Sequence, residues 1–178
     1  MEKLVDSGLV VGVLDMTTTE MADHIVGGVM SAGPGRLDAI ARTGVPYVGS
    51  AGALDMVNFG ARDTVPSHFD DRNLYVHNSQ VTLMRTTPEE NRMIGEFIAT
   101  KLNAMIGQVR FLLPKGGVSL IDAPGQPFFD PEADAALFDA IEHGVTAANV
   151  EIRTIDANIN EPEFLGETLT AFEEVMQS

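Results

Sequence analysis

The sequence contains no cysteine. This absence excludes disulfide bonds, thiolate nucleophiles and sulfur-ligated metal sites. Long apolar runs are absent too: no stretch approaches the length of a membrane span, and residues 1–8 (MEKLVDSG) are too polar for a signal peptide. Together these absences lead us to expect a cytoplasmic protein with no membrane partner.

Positive charge is scarce. The 11 lysines and arginines stand against 26 aspartates and glutamates, which gives a formal net charge of -15 at pH 7. Because binding to duplex nucleic acid needs a basic face, we expect no nucleic-acid partner. The remaining composition is that of an ordinary globular chain: 178 residues, 44% of them hydrophobic and 21% charged, suffice for one domain with a sizeable core.

Five short runs of branched apolar residues predict β-strands. Their nearly continuous hydrophobicity is typical of strands buried on both faces, as in a parallel sheet. The runs are Leu9–Leu14, Pro46–Ser50, Leu74–His77, Val109–Leu113 and Val150–Ile155. Between the second and third runs, residues 51–73 predict a long connection of low helical signal, and such loops are often functional.

Three helices have clear start signals. Residues 87–90 (TPEE) offer an N-cap threonine, a proline at the first helical position and a glutamate at the third, and residues 130–132 (DPE) and 160–163 (NEPE) resemble them. Because strands and helices alternate, we predict one α/β domain over residues 1–178, three-layered and doubly wound. Its sheet is expected to be Rossmann-like and mainly parallel, with about five strands. Residues 1–8 look like the end of a helix, so we expect a piece of a longer chain.

Ligands of open α/β sheets bind beyond the carboxyl ends of the strands, and one glycine-rich segment there contains an arginine. Gly33 and Gly35 precede a predicted helix with Arg36 in its first turn. This arrangement is suited to presenting free amides and a guanidinium to an anion. A plain turn between helices explains the same residues.

A second such segment follows the fourth predicted strand and contains a lysine. Lys115, Gly116, Gly117 and Ser119 combine a mobile positive charge with a hydroxyl. An ordinary loop is the alternative interpretation. Arg85 is a further cation, and it follows the third predicted strand.

Two residues are candidate acid-base groups: Asp15 at the end of the first predicted strand, and His77 beside Asn78 at the end of the third. A solvated loop aspartate and a structural histidine are the alternatives. Thr17 and Glu20 have the spacing of a capping box, which would satisfy the next helix without a ligand. Since no histidine pair has metal-ligand spacing, we predict no built-in metal site.

Four segments resemble the Tm-one-like ATP-binding family. They are residues 12–28, 31–60, 73–99 and 111–138, which begin GVLDMTTTE, SAGPGRLDA, NLYVHNSQV and FLLPKGGVS, and they cover nearly the whole chain. Members of this family have two consecutive Rossmann-like halves, and the chain resembles the second, carboxyl-terminal half. The resemblance implies a partner in an amino-terminal half beyond this chain, and ATP with Mg²⁺ bound mainly through that half.

The resemblance also implies a cleft between the two halves. Its walls would be Asp15, Thr18, Glu20, Gly33, Gly35, Arg36, Gly52, Asp55, His77, Asn78, Arg85, Lys115, Gly116 and Gly117. The leading functional hypothesis is a lobe that binds a small phosphorylated, nucleotide or carboxylate ligand in that cleft. One alternative is an enzyme acting on an anionic metabolite, with Asp15 or His77 as acid-base group. Another is a protein-interaction module, and a homo-oligomer is compatible with all three.

Overall fold

The computed structural model describes residues 1–177 and contains six α-helices and seven β-strands within that range. In chain order they are α1 (Glu2–Asp6), β1 (Val13–Thr17), α2 (Thr19–Val26), α3 (Asp38–Thr43), β2 (Tyr47–Gly52), β3 (Met56–Phe59), β4 (Leu74–Asn78), β5 (Val81–Arg85), α4 (Pro88–Asn103), β6 (Val109–Pro114), α5 (Pro131–Gly144), β7 (Val150–Ile155) and α6 (Pro162–Gln177). Two short 3₁₀ turns, Arg62–Thr64 and Ser67–Phe69, lie in the connection between β3 and β4. Strands and helices alternate as expected over most of the chain, but between α3 and α4 four strands follow one another without an α-helix.

Four strands form a parallel sheet in the order β1-β2-β6-β7. Side chains alternate between its two faces, so Tyr47 and Phe111 enter the larger core with α2, α3, α4 and α5. Val48 and Leu112 point the other way and pack beneath α6. Helices therefore cover both faces, which confirms a three-layer α/β arrangement with a mainly parallel sheet.

A second, antiparallel sheet of three strands has the order β3-β5-β4. We predicted Leu74–His77 as one of five parallel strands. That prediction is wrong, because these residues belong to β4 of the antiparallel sheet. The outer half of β4 is exposed, which an antiparallel edge strand tolerates and a parallel strand rarely does. The sequence analysis missed β3 and β5 altogether, since both are short and lie within segments interpreted as connections. Within residues 1–177, successive strands of the parallel sheet are also added in one direction, from β1 at one edge to β7 at the other. In a doubly wound sheet, as we predicted, this direction reverses at the middle of the sheet.

The helix starts predicted at residues 87–90, 130–132 and 160–163 are confirmed, since α4, α5 and α6 begin at Pro88, Pro131 and Pro162. The prediction that Arg36 lies in the first turn of a helix is wrong, because α3 begins only at Asp38. Thr87 accepts from the Glu90 amide and Glu90 returns a bond to the Thr87 amide, which completes a capping box. Asp130 likewise caps α5 through the Ala133 amide. The capping box expected at Thr17 is wrong: Thr18 is the N-cap of α2, and its side chain makes no capping bond.

The first strand starts later than predicted. Leu9 and Val11 are 80% and 75% exposed, and β1 begins only at Val13. Within residues 1–177, no helix combines the length and the hydrophobicity that a bilayer crossing requires.

Candidate functional site

A groove lies at the carboxyl end of β6 and runs along α5. Its volume is about 560 Å³, and its walls include Lys115, Phe129, Asp134, Phe138, Asp139, Glu142 and Asp156. We call it the Lys115 groove. Every arginine and Lys101 lie in ion pairs, so Lys3 and Lys115 are the basic side chains outside any ion pair within residues 1–177. Lys115 is exposed and therefore available to a ligand.

Packing explains the two glycines that follow Lys115. A Cβ on Gly117 would lie 1.7 Å from the Asp122 carbonyl oxygen, and its φ of +124° is a value that favours glycine. A Cβ on Gly116 would lie 2.4 Å from the Asn158 amide nitrogen. Both glycine amides already donate, to the carbonyl oxygens of Ala157 and Pro114. The pair therefore brings two loops together, and its amides are not free for an anion.

Arg85 lies at the centre of a buried polar cluster next to this groove. Its Nη2 is 2.7 Å from Asp134 Oδ1 and 3.5 Å from Asp122 Oδ1. The same guanidinium donates to the carbonyl oxygens of Phe128 and Asp130 and to the Thr86 hydroxyl. We call Arg85, Asp122 and Asp134 the Arg85 cluster. Because Arg85 is only 4% exposed and its donors are used, it ties the loop before α5 to β5.

Asp55 and Ser119 adjoin the Arg85 cluster. Ser119 Oγ donates to Asp55 Oδ2 at 2.7 Å, while Asp55 Oδ1 is buried without a partner within residues 1–177. Burial raises the pKa of Asp55 to about 6, with the Ser119 hydrogen bond opposing and Asp122 adding to the rise. Burial is likewise the main reason that the pKa of Asp134 is raised; Arg85 opposes that rise and Asp122 reinforces it.

Arg36 lies in a separate ion cluster beneath α2. Its guanidinium is 2.5 Å from both Asp15 Oδ2 and Glu20 Oε1, and 3.4 Å from Glu2 Oε1. We call these four residues the Arg36 cluster. Burial raises the pKa of Asp15, and Arg36 opposes that rise. Because Arg36 is 7% exposed and already has three carboxylate partners, an external anion has little access to it.

The other predicted site residues are dispersed. His77 and Asn78 are exposed at the turn of the β4–β5 hairpin, whereas Arg85 ends β5 at the other end, roughly 13 Å away along the strand. A Cβ added to Gly33 would meet no atom within 4 Å, and one added to Gly35 would meet only Asp38 Oδ2, at 3.5 Å. Packing therefore does not require glycine at either position. Gly52 is a close approach, since its Cβ would lie 2.2 Å from the Met16 carbonyl oxygen.

The structure thus brings together one part of the predicted set. Asp55, Arg85 and Ser119 share the carboxyl edge of the parallel sheet with Lys115 and its glycines, and Thr18 is buried at the same edge after β1. Asp15, Glu20 and Arg36 form the second group. Sequence reasoning did not single out Asp134 or Asn158, and no local motif marks either of them. Among the described residues, no three histidines, aspartates or glutamates are arranged to hold a metal ion.

An apolar groove of about 370 Å³ lies on the other side of the loop after β6. Its walls include Met16, Ala53, Val118, Leu120, Ile159 and Leu165. Leu120 is 71% exposed and Leu165 56% exposed. Large apolar side chains exposed together are typical of contact surfaces and ligand grooves.

Comparison with known proteins identifies the family. Residues 1–176 match the family model described as "Uncharacterised protein family (UPF0261) C-terminal domain". The chain belongs to the UPF0261 family.

Similar proteins occur in bacteria and in a plant. The chain is 53% identical over 176 residues to a UPF0261 protein of Rhizobium meliloti, covering 98% of this chain and 44% of that protein. It is 52% identical over 164 residues to a UPF0261 protein of Clostridium tetani, covering 92% and 41%. It is 45% identical over 176 residues to the ToMV resistance protein Tm-1 of Solanum lycopersicum, covering 98% and 23%. The UPF0261 chain thus spans less than half the length of these relatives, and the expected kinship with Tm-one-like proteins is confirmed.

Proposed function

We propose that this UPF0261 domain binds a small anionic ligand, phosphorylated or carboxylated, in the Lys115 groove. The observation that carries the proposal is the free lysine. The chain has a formal charge of -15, and all its arginines are in ion pairs. An exposed lysine in a groove is therefore the place where a bound anion finds the most favourable electrostatic interaction. The position beyond β6 agrees with the general location of ligands in parallel sheets.

The ligand is expected to combine an apolar part with a single negatively charged group. Phe129 and Phe138 offer apolar surface, and Lys115 offers the single positive charge. Asp139, Glu142 and Asp156 stand on the same walls and would repel a highly charged anion. We therefore favour an organic acid or a sugar phosphate over a nucleoside triphosphate for this domain alone.

We also propose that the domain is one lobe of a longer, two-lobed protein. Its relatives are more than twice as long, and parallel strands covered by helices on both faces support a Rossmann-like lobe. ATP with Mg²⁺, implied by the family resemblance, does not fit the residues of this chain. The amides after Lys115 are already bonded, and the described residues provide no cluster for a metal ion. Nucleotide binding is accordingly assigned to the other lobe.

Protein interaction is a second candidate function, favoured by the apolar groove. Leu120 and Leu165 present exposed apolar surface there, and we assign it to contact with the other lobe of the longer protein. In the full-length protein, Leu120→Asp should loosen the contact between lobes, measured as increased proteolysis between them. An unchanged cleavage rate would remove this candidate. The enzyme alternative has no such support, since Asp15 is paired with Arg36 and His77 lies at a hairpin turn.

The anion proposal is tested by calorimetric titration after a thermal-shift screen of organic acids, sugar phosphates and inorganic phosphate. Lys115→Ala should weaken binding at least about tenfold, because a charged hydrogen bond contributes roughly 1.5 to 3 kcal/mol. Lys3→Ala is the matched control, since it removes the other lysine that has no ion pair and leaves the groove intact. Equal affinities of the wild type and Lys115→Ala would overturn the proposal.

A further inference from the structure

The Arg85 cluster contains more negative charge than its cation balances. The side chains of Arg85, Asp122 and Asp134 are 4%, 0% and 12% exposed, so water screens them weakly. Both carboxyl groups approach the same nitrogen atom, Arg85 Nη2: Asp134 Oδ1 at 2.7 Å and Asp122 Oδ1 at 3.5 Å, so one positive charge faces two buried carboxyl groups. Because burial and a neighbouring carboxylate both disfavour ionisation, a proton on one of the two groups removes the excess negative charge.

The other charged groups around the cluster do not remove this excess. Asp55 faces it from the turn before β3 and adds negative charge. From the start of α4, Glu90 pairs with Arg72, which donates to the Arg85 carbonyl oxygen. In the Lys115 groove, Asp134 shares the walls with Lys115, Asp139, Glu142 and Asp156, and Asp130 contributes its carbonyl oxygen to Arg85.

The same carboxyl groups hold the loop between β6 and α5. Asp122 Oδ2 accepts from the Val118 amide at 2.9 Å. Arg85 holds the other end of the loop through the carbonyl oxygens of Phe128 and Asp130. The Asn158 side-chain amide donates to three loop carbonyl oxygens, those of Gly116, Ser119 and Asp122. Val118 and Phe128 also anchor the loop by burial, but the carboxyl groups hold its polar backbone atoms, so the charge state of the cluster bears directly on the loop.

We propose that Asp134 keeps a proton beside Arg85 and Asp122, and that its release at alkaline pH loosens residues 115–130. The O–H bond of the Asp134 carboxyl group breaks, the proton passes to water, and a second negative charge is left in the buried cluster. The two carboxylates then repel each other, and Asp122 leaves its position under the Val118 amide. The raised pKa of Asp134 agrees with this assignment.

The proton switch has a consequence for binding that rests on the proposed function. Lys115 begins the loop, and Asp134 lines the same groove. Loosening the loop and ionising Asp134 both disfavour an anion there. Affinity for inorganic phosphate should therefore fall several-fold between pH 6 and pH 8.5.

Hydrogen exchange measured on the 178-residue chain at pH 6 and pH 8.5 tests the switch. After correction for intrinsic exchange, the protection of the Val118, Ile121 and Phe128 amides should fall about tenfold or more at the higher pH, while the amides of β2 stay protected. Asp134→Asn should abolish the pH effect, because an amide keeps the size of the side chain and cannot lose the proton. Asp139→Asn, on the same helix and groove, should behave as the wild type.

Three results would overturn the switch: constant loop protection in the wild type, an equal loss in Asp134→Asn, or an equal loss in β2. Carbon-13 titration of the aspartate carboxyl groups gives a second readout that needs no variant. It should show that the Asp134 carboxyl group titrates above pH 6, and titration of that group below pH 5 would refute the proposal. If loop protection responds to pH but phosphate does not bind, the proposed function fails and the switch stands.

Discussion

The Arg36 and Arg85 clusters each contain a buried guanidinium surrounded by several carboxylates, but they differ in how far water reaches those carboxylates. In the Arg36 cluster the carboxylate side chains of Asp15, Glu20 and Glu2 are 12%, 21% and 31% exposed. In the Arg85 cluster Asp122 is fully buried, and backbone carbonyl oxygens fill the remaining donors. The carboxylates of the first cluster are therefore on the whole more accessible to water than those of the second, where Asp134 alone reaches the surface. An arginine beyond a strand end is therefore poor evidence of an anion site until its own carboxylates are located.

The largest expected effect is a difference in the free energy of unfolding between variants of the two clusters. Arg85→Met leaves two buried carboxylates uncompensated and should lower the free energy of unfolding by about 3 to 5 kcal/mol at pH 7.5. Arg36→Met should cost only roughly 1 to 3 kcal/mol, because water reaches its carboxylates. Urea unfolding of both variants measures the difference. An Arg36→Met cost equal to or above that of Arg85→Met would break the comparison.

A smaller effect concerns the pH dependence of stability beside the Arg85 cluster. The pKa of Asp55 is about 6 in the folded state against an ordinary value of 3.8 for aspartate, so between these values the folded state binds the proton more tightly. Its stabilising contribution is therefore fully present below about pH 4 and is lost as the pH rises through 6.

The measurement compares wild type with Asp55→Asn by urea unfolding at pH 5 and pH 8. Relative to the variant, the wild type should lose roughly 1 to 1.5 kcal/mol over this interval. Subtracting the variant cancels other carboxyl groups, including Asp15, whose raised pKa acts in the same direction. A relative stability that rises with pH would show that Asp55 is ionised and stabilised in the folded state.

The contrast between the clusters also shows which features can be predicted from the sequence. The α4 capping box at Thr87 and the buried parallel strands were predicted because each depends on neighbouring residues in the chain. The partners of the two arginines are not local: Glu2 precedes Arg36 by 34 residues, and Asp134 follows Arg85 by 49. No spacing rule reveals such pairs, so Arg36 and Arg85 looked as available to a ligand as Lys115.

The antiparallel sheet was missed for a related reason. The strand Met56–Phe59 pairs with Val81–Arg85 across a connection of more than twenty residues, and each strand is too short for a periodic signal. By contrast, Val109–Pro114 is a buried or half-buried run, and Val150–Ile155 has its branched apolar residues half-buried, so the hydrophobicity of both strands is visible in the sequence. The sequence therefore placed Arg36, Arg85 and Lys115 alike near strand ends, whereas the structure pairs the two arginines with carboxylates.

Lys115, rather than Arg36 or Arg85, is the cation that we propose is open to an anionic ligand. This proposal is tested by titrating the ¹⁵N-labelled chain with inorganic phosphate and following amide chemical shifts, with sodium chloride at matched ionic strength as control. We expect phosphate-specific shifts at residues 115–117 and along the first turns of α5, with residues 33–38 unchanged. Shifts centred on residues 33–38, or shifts that sodium chloride reproduces everywhere, would contradict it.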